Sequence, residues 1–211
     1  PYGFLCGTKF NVDFKGRAAH CASEPEAGKN ALAAACSAFM LLQGISRSSK
    51  GASRINVGKL SGGRGRNIIP DQAYMEIDLR GETTEVNDYL VERTQEILKG
   101  TAQSLDVQLS IEDLGTVYDI KNDPELVEYL KEVASQCPLV KAVTTHSDFG
   151  GSEDASIIIK RIQQLFGKCI YFVIGADRTA GHHQPDFDAD EAALEIGFEM
   201  FKGLIRKING C

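Results

Sequence analysis

Apolar and polar residues alternate with a period of two in four segments of the first half of the chain, a pattern typical of strands that bury one face. The first segment places Phe10, Val12 and Phe14 on its apolar face, and the last begins with Leu105 on that face. The segments are "TKFNVDFK", "SRINVGKL", "QAYMEIDLR" and "LDVQLSIE". The alternation therefore predicts four half-buried strands.

Two further segments carry apolar residues at helical spacing. "NALAAACSAFMLLQG" precedes the second strand, and its predicted buried stripe is Leu32, Cys36, Phe39 and Leu42. "TEVNDYLVERTQEILKGTAQ" follows the third strand, with Thr83 or Thr84 as its cap and a predicted stripe of Val86, Leu90, Ile97 and Leu98. The order β-α-β-β-α-β predicts a ferredoxin-like sandwich over residues 8–114, with both helices on one face of the sheet.

The second half of the chain has a different pattern. Helices are predicted at 123–136, 152–165 and 190–208, with caps at Asp123, Ser152 and Asp190. The last helix has a predicted stripe of Ala193, Ile196, Met200 and Ile205. The continuous apolar run "KCIYFVIGA" predicts a strand buried on both faces, and its partner strands are expected outside this chain. Together these elements predict an α/β layer, joined to the first half by a hinge near 114–119.

Composition limits the class of protein. Hydrophobic residues make up 43% and charged residues 25% of the 211 residues, which is ordinary for a globular protein. The net charge of −6 argues against nucleic acid as a partner, and no apolar run approaches the roughly 20 residues of a membrane span. The six cysteines contain no C-x-x-C pair, which predicts a reducing, cytoplasmic environment without a disulfide framework.

Candidate chemistry begins with His182 and His183, which follow the predicted buried strand. Loops after the carboxyl ends of such strands commonly bind ligands, and a neutral imidazole there suits zinc or manganese. The alternative is a solvated turn before a helix capped by Asp190. The residues alone leave both interpretations open.

His20 and Asn67 lie in the two segments that interrupt the alternating pattern. His20 is either an exposed loop residue or a hydrogen-bond donor to a developing oxyanion. The glycine-rich "GGRGRNIIP" lacks the Lys-Ser/Thr and the following helix of a phosphate loop, so it is interpreted as a flexible connection that presents Asn67.

Arg80 ends the third strand on the polar face. It makes either a surface ion pair with Glu76, Asp78 or Glu82, which contributes little, or a fork that binds a carboxylate through two hydrogen bonds. Glu153 and Asp154 stand at a predicted helix start, where capping is the expected role.

Four stretches occur in order: "GRAAHCASEPEAGKNAL", "GGRGRNIIPDQAYMEIDLRG", "GGSEDAS" and "GHHQPDFDADE". Together they resemble the dinuclear-metal amidohydrolase and carboxypeptidase family, which includes glutamate carboxypeptidases, aminoacylases, desuccinylases and p-aminobenzoyl-glutamate hydrolases. The resemblance spans nearly the whole chain. It implies a lid and dimerisation domain at 8–114, after an entry linker at 1–7, and the C-terminal portion of a metal-dependent catalytic domain at 115–211.

The resemblance also implies roles for individual residues. His183 resembles the last metal ligand, and His20 resembles the lid histidine that reaches the active site of the partner chain and polarises the scissile carbonyl. Asn67 and Arg80 resemble the pair that binds the substrate's carboxylate. The other ligands and the catalytic glutamate of the family lie upstream of the lid, so the chain is expected to be the C-terminal half of an enzyme and inactive alone.

The expected activity of the full-length protein is metal-dependent hydrolysis of the amide bond of an N-acyl or N-aroyl amino acid, with p-aminobenzoyl-glutamate as the expected substrate. Two divalent ions, zinc or manganese, and a homodimer or heterodimer through the lid are implied. The alternatives are a non-catalytic dimerisation or small-molecule-binding regulatory module, and a partner subunit of a heteromeric hydrolase.

Overall fold

The computed structural model of the chain describes residues 3–144, 151–181 and 184–210. The elements are β1 (Cys6–Lys15), α1 (Ala31–Leu42), β2 (Ser53–Gly62), β3 (Gln72–Gly81), α2 (Thr84–Ser104), β4 (Gln108–Val117), α3 (Pro124–Gln136), α4 (Ala155–Gln164) and α5 (Ala192–Asn209). The described chain divides into two compact units. The first contains residues 4–119 and 151–157, and the second contains residue 3 together with residues 120–144, 158–181 and 184–210.

The first unit is built on a four-stranded antiparallel sheet in the order β2-β3-β1-β4. This order, with α1 and α2 as the two crossovers, confirms the predicted ferredoxin-like βαββαβ fold. The two central strands are β1 and β3, and their register sets Phe10 opposite Ile77 and Val12 opposite Met75. The pairs lie on the face that packs against both helices, where burial of apolar side chains stabilises the unit.

The opposite face of the sheet carries the polar residues of the same strands, as the alternation predicts. On β3 this face presents Tyr74, Glu76, Asp78 and Arg80. Lys59 on β2 lies opposite Glu76 in the register and pairs with it at 3.2 Å between Nζ and Oε1. A continuous polar surface therefore runs the length of the sheet.

The buried face of α1 differs from the predicted stripe. The helix buries alanines, and Cys36 is exposed while Leu32 and Phe39 are only half-buried. Small side chains allow the helix axis to approach the sheet closely, so the helix buries its alanine face instead of the face with the larger residues. The buried residues of the helix are Ala31, Ala34, Ala35, Ala38 and Leu42.

The second helix and the last strand confirm most of the prediction. Thr83 caps α2, because its Oγ1 accepts the Val86 N–H at 3.3 Å. The strand β4 begins only at Gln108, and Leu105 is the exposed residue that ends α2 instead of a strand residue. The turn between them uses Asp106 at a φ of 51°, a left-handed conformation that aspartate tolerates better than most residues.

The second unit packs α3 against α5. Met200 and Leu204 are the buried residues of α5, and Ile205, which the sequence placed in the buried stripe, is 58% exposed. The N-cap of α5 is Glu191 instead of the predicted Asp190, whose Oδ1 accepts the Ala192 N–H at 2.9 Å. The carboxylate of Asp123 makes no cap bond to α3 and instead accepts the Cys169 N–H at 2.7 Å.

The segment "KCIYFVIGA" pairs with no strand among the described residues. Its partner strands are expected outside this chain, so the buried strand stays a prediction. Its residues are half-buried or exposed, and Val173 is 52% exposed. Asn122 substitutes for a neighbouring strand, because its side chain both accepts the Tyr171 N–H at 2.7 Å and donates to the Tyr171 carbonyl at 2.8 Å. The Asn122 side chain thus hydrogen-bonds the backbone N–H and C=O of Tyr171, which no neighbouring strand pairs within the described residues.

None of the helices within the described ranges is long and apolar enough to cross a membrane. The five described cysteines are all free thiols, in agreement with the expected absence of a disulfide framework over those ranges.

Candidate catalytic and substrate-binding residues

The loop that carries His20 is closed at its base by two backbone hydrogen bonds. Arg17 N–H donates to the Lys29 carbonyl at 3.0 Å, and Lys29 N–H donates to the Arg17 carbonyl at 2.9 Å. Gly16 makes this closure possible, because a Cβ at that position would collide with the Lys29 carbonyl oxygen. Gly16 N–H also donates to the Asp71 carbonyl at 2.8 Å, which ties the loop to the segment before β3.

The structure brings His20 and Asn67 together. His20 forms an antiparallel bridge with Ile68, Cys21 N–H donates to the Asn67 carbonyl at 3.1 Å, and Ile69 N–H donates to the Ala19 carbonyl at 2.9 Å. Both His20 and Asn67 are exposed. Two segments that the sequence treats as separate interruptions therefore form one paired loop at the Lys15 end of the sheet.

The imidazole of His20 has a defined orientation. Its Nδ1 accepts the Ala22 N–H at 3.2 Å and the Ser23 N–H at 3.3 Å. A backbone amide can only donate, so Nδ1 must present its lone pair, and the neutral ring carries its proton on Nε2. The loop therefore holds His20 as a donor through Nε2.

Arg80 is held by two partners on the polar face of the sheet. Its Nε and Nη2 donate to Asp78 Oδ2 at 3.2 and 3.0 Å, and its Nη1 donates to Ser152 Oγ at 3.3 Å. Ser152 in turn donates to the Leu5 carbonyl at 2.9 Å. Gly7 lies opposite Arg80 in the register, and a Cβ there would come within 3.7 Å of Ser152 Oγ, so this hydroxyl lies close against β1.

The hydrogen bonds of Arg80 leave two of its guanidinium N–H groups available for a ligand. A guanidinium has five N–H donors, and Asp78 and Ser152 engage three of the nitrogens once each. One N–H on each Nη has no partner among the described residues, and the Arg80 side chain is 35% exposed. Two guanidinium N–H groups can bind a carboxylate. Arg80 thus makes the ion pair with Asp78 that was the alternative interpretation. It also keeps two N–H donors that can bind a ligand.

Ser152 is a contributor to this site that the sequence did not identify. Ser152 was expected to cap α4, but its hydroxyl is used by Leu5 and Arg80. Seventy-two residues separate Ser152 from Arg80, so no local pattern could have revealed the contact. Asp78 was considered only as one of three possible ion-pair partners of Arg80.

Within one chain, Asn67 and Arg80 lie far apart. Arg80 pairs with Gly7, whereas Gln72, at the start of β3, pairs with Lys15 beside the His20 loop. Eight residues of strand separate Gln72 from Arg80, which is about 26 Å at roughly 3.3 Å per residue. The two residues expected to bind one carboxylate therefore lie at opposite ends of the sheet.

No three His, Cys, Asp or Glu side chains converge as metal ligands in the part of the chain that the structure describes. The predicted ligand His183 lies outside the described residues. Those residues thus do not fit a complete metal site, and they assign no catalytic step to a metal.

Comparison with known proteins shows what the chain is similar to. Residues 7–105 match the peptidase dimerisation domain family, M20_dimer. The chain is 41% identical to a p-aminobenzoyl-glutamate hydrolase homolog of Haemophilus influenzae, over 99% of this chain and 49% of that protein. It is 39% identical to the indole-3-acetyl-aspartic acid hydrolase of Enterobacter agglomerans, over 93% of this chain and 45% of that protein.

Among solved structures, the aminobenzoyl-glutamate utilization protein of Klebsiella pneumoniae is similar with a TM-score of 0.83 and 33% identity, over 95% of this chain and 48% of that one. The chain therefore spans about half the length of the relatives it matches. The similarity extends through both compact units, beyond the dimerisation domain itself.

Proposed function

From the premise that residues 7–105 belong to the M20 peptidase dimerisation domain family, we propose that this chain is part of an amidohydrolase. The whole enzyme cleaves the amide bond of an N-acyl or N-aroyl amino acid with a free carboxylate, and p-aminobenzoyl-glutamate is the proposed substrate. The observation that carries the proposal is the 41% identity, along 99% of this chain, to a protein named for that hydrolysis. Residues 8–114 act as lid and dimerisation domain, and 115–211 as the last part of the catalytic domain.

In this proposal Arg80 anchors the substrate carboxylate through its two remaining N–H groups. Asp78 and Ser152 fix the guanidinium plane before the substrate arrives, which lowers the entropy lost on binding. A hydrogen bond to a charged group contributes about 1.5–3 kcal/mol, so loss of Arg80 weakens substrate binding strongly.

His20 stabilises the developing oxyanion of the scissile carbonyl. Two hydrogen bonds support this role. His20 Nδ1 accepts the N–H groups of Ala22 and Ser23, so Nε2–H of the neutral ring is the donor. Removing one such preorganised donor typically costs about 3 kcal/mol in the barrier. Asn67, tied to the same loop through its carbonyl, binds the substrate carboxylate together with Arg80 of the partner chain.

The active site requires two chains. Because about 26 Å of sheet separates the Arg80 end from the His20 end, His20 and Asn67 of one chain serve the site that contains Arg80 of its partner. The partner is a second copy or a related chain. The strand β2 lies at the edge of the sheet and offers its free hydrogen-bonding side, with exposed Met40 and Leu41 of the adjacent α1 as apolar contacts.

Two divalent ions, zinc or manganese, belong to the proposal through the motif resemblance, with His183 as one ligand. When bound, such ions lower the pKa of a water molecule so that it can attack at neutral pH. Among the described residues, no group of three His, Cys, Asp or Glu side chains is placed to supply the remaining ligands.

The test is a hydrolysis assay with the full-length protein, loaded separately with zinc and with manganese, that measures release of p-aminobenzoate from p-aminobenzoyl-glutamate. We expect Arg80→Ala to raise KM and His20→Ala to lower kcat. Lys59→Gln, on the same polar face but paired with Glu76, serves as the control and should keep both constants. Full activity of the Arg80 and His20 variants would contradict the assigned roles.

A further inference from the structure

We infer that Arg54 determines substrate specificity by binding a second carboxylate, so that the enzyme selects amides of dicarboxylic amino acids. This inference rests on the proposed function, in which the neighbouring Arg80 binds the first carboxylate. It assigns to Arg54 a role that neither the sequence motifs nor the alternation suggested.

The strand register places the two arginines side by side. Arg54 on β2 is the direct partner of Arg80 on β3. Their neighbours Ile55 and Leu79 pack toward the core, so both arginines project from the polar face of the sheet. Directly opposed residues of an antiparallel pair have Cβ atoms about 5 Å apart. Two guanidinium groups therefore share one patch of surface.

Opposed like charges destabilise a sheet unless an anion lies between them. Asp78, two residues before Arg80 on the same face of β3, is the nearest acid of the sheet. Its Oδ2 already accepts two hydrogen bonds from Arg80. Asn56, the partner of Asp78 on β2, is neutral, and Lys9, its partner on β1, adds a further positive charge. The facing positions on the three strands thus hold the cations Arg54, Arg80 and Lys9 against the single acid Asp78.

Further acids lie near this end of the sheet, namely Glu82 and the Glu153 and Asp154 that follow Ser152. Glu82, which follows β3, accepts the Ala52 N–H at 2.7 Å through Oε2. Arg54 itself is exposed and makes no side-chain hydrogen bond or ion pair within the described ranges of the chain. Its guanidinium can therefore bind a ligand without first losing a protein partner.

A dicarboxylic amino acid fits this patch. Glutamate and aspartate carry two carboxylates joined by a short carbon chain. Such a pair suits two guanidinium groups on adjacent strands. With Arg80 on one carboxylate, Arg54 reaches the other. Two relatives of the chain are named for hydrolysis of amides of glutamate and of aspartic acid, which is the same chemical class.

The experiment compares p-aminobenzoyl-glutamate with p-aminobenzoyl-glutamine in the full-length enzyme. The glutamine amide keeps the first carboxylate and replaces the second by a neutral group of nearly the same shape. We expect Arg54→Gln to reduce kcat/KM for the glutamate amide by about tenfold to a hundredfold, as for the loss of a hydrogen bond to a charged group. The value for the glutamine amide should not change, and Arg54→Lys should restore part of the loss.

Two matched variants complete the design. Arg80→Gln should lose activity on both amides, and Lys59→Gln, which removes a charge from the same strand and face, should lose it on neither. If Arg54→Gln weakened both amides equally, or neither, the inference would be overturned while the proposed function stood. A wild-type enzyme inactive on both amides would overturn the proposed function and the inference with it.

Discussion

His20 and Arg80 lie at opposite ends of one four-stranded sheet, His20 in the loop beyond Lys15 and Arg80 opposite Gly7. The strand between these two ends is about 26 Å long, which exceeds the reach of any single small substrate. If both residues act in one reaction, two chains must contribute them.

Complementation between two defective variants tests this arrangement. In a mixed dimer of His20→Ala and Arg80→Ala chains, one site combines the intact Arg80 of the first chain with the intact His20 of the second. We therefore expect two inactive preparations to regain activity when they are co-expressed and the mixed dimer is isolated with two affinity tags. A mixed dimer that stays inactive would show that both residues serve the site of their own chain.

Asp78 is predicted to position Arg80. The substitution Asp78→Ala removes the acceptor of two Arg80 hydrogen bonds, so the guanidinium gains freedom and KM should rise about tenfold with kcat little changed. Asp78→Asn, which retains an acceptor oxygen, should recover part of the affinity. Glu76→Ala removes a carboxylate from the same strand face and should leave KM unchanged, and a comparable rise in that control would argue for a general electrostatic effect.

Gly16 is predicted to be essential for the His20 loop. A methyl group at this position collides with the Lys29 carbonyl, so Gly16→Ala must open the base of the loop, at a cost of about 1–3 kcal/mol. We expect a lower kcat together with a lower thermal midpoint. Gly58→Ala is the matched control on β2, because a Cβ there meets only Asn56 Nδ2, at 3.5 Å. Equal activity of the two variants would show that the loop does not depend on this close approach.

Cys6 predicts a pH dependence of stability. Burial, together with the nearby Asp119 carboxylate, raises the pKa of this thiol from 9.0 to about 11. The folded state therefore holds the proton more tightly than the unfolded state. Its contribution is fully present below pH 9 and is lost as the pH rises from 9 toward 11.

The measurement is the free energy of unfolding in urea at a series of pH values from neutral to alkaline. Cys6→Ala should reduce the alkaline loss of stability relative to wild type, whereas Cys36→Ala, which removes an exposed thiol, should leave it unchanged. Thiol alkylation provides a second readout, with the exposed Cys21 and Cys36 reacting in the folded protein and Cys6 reacting after unfolding. Modification of Cys6 at the rate of Cys21 in the folded state would contradict the prediction.

The strand pattern of the first unit could be predicted from the sequence because it depends on local alternation. Phe10, Val12 and Phe14 face the core, as expected for a period of two, and the same holds for Met75, Ile77 and Leu79. The face of α1 could not be predicted in the same way. Nearly every position of that helix is apolar, so the closeness of approach to the sheet, which is a property of the whole fold, selected the alanines.

For the segment "KCIYFVIGA", composition alone did not predict the local pairing. Its composition predicts a fully buried strand, but a strand requires neighbours, and the described residues offer it the side chains of Asn122 and Asp123 instead of a ladder. Phe198 and Phe201 on α5 are exposed apolar residues, a feature that commonly marks an interaction surface.

The sequence by itself determined the order of elements, the polar and apolar faces of the sheet and the residue types able to bind a carboxylate or polarise a carbonyl, because these follow from local periodicity and side-chain chemistry. Only the tertiary structure decided which of those residues meet. It joined His20 to Asn67, moved Arg80 to the far end of the sheet beside Ser152, and set Arg54 against Arg80. Such contacts depend on strand register and on closure of the chain between distant residues, and neither is encoded in a local pattern.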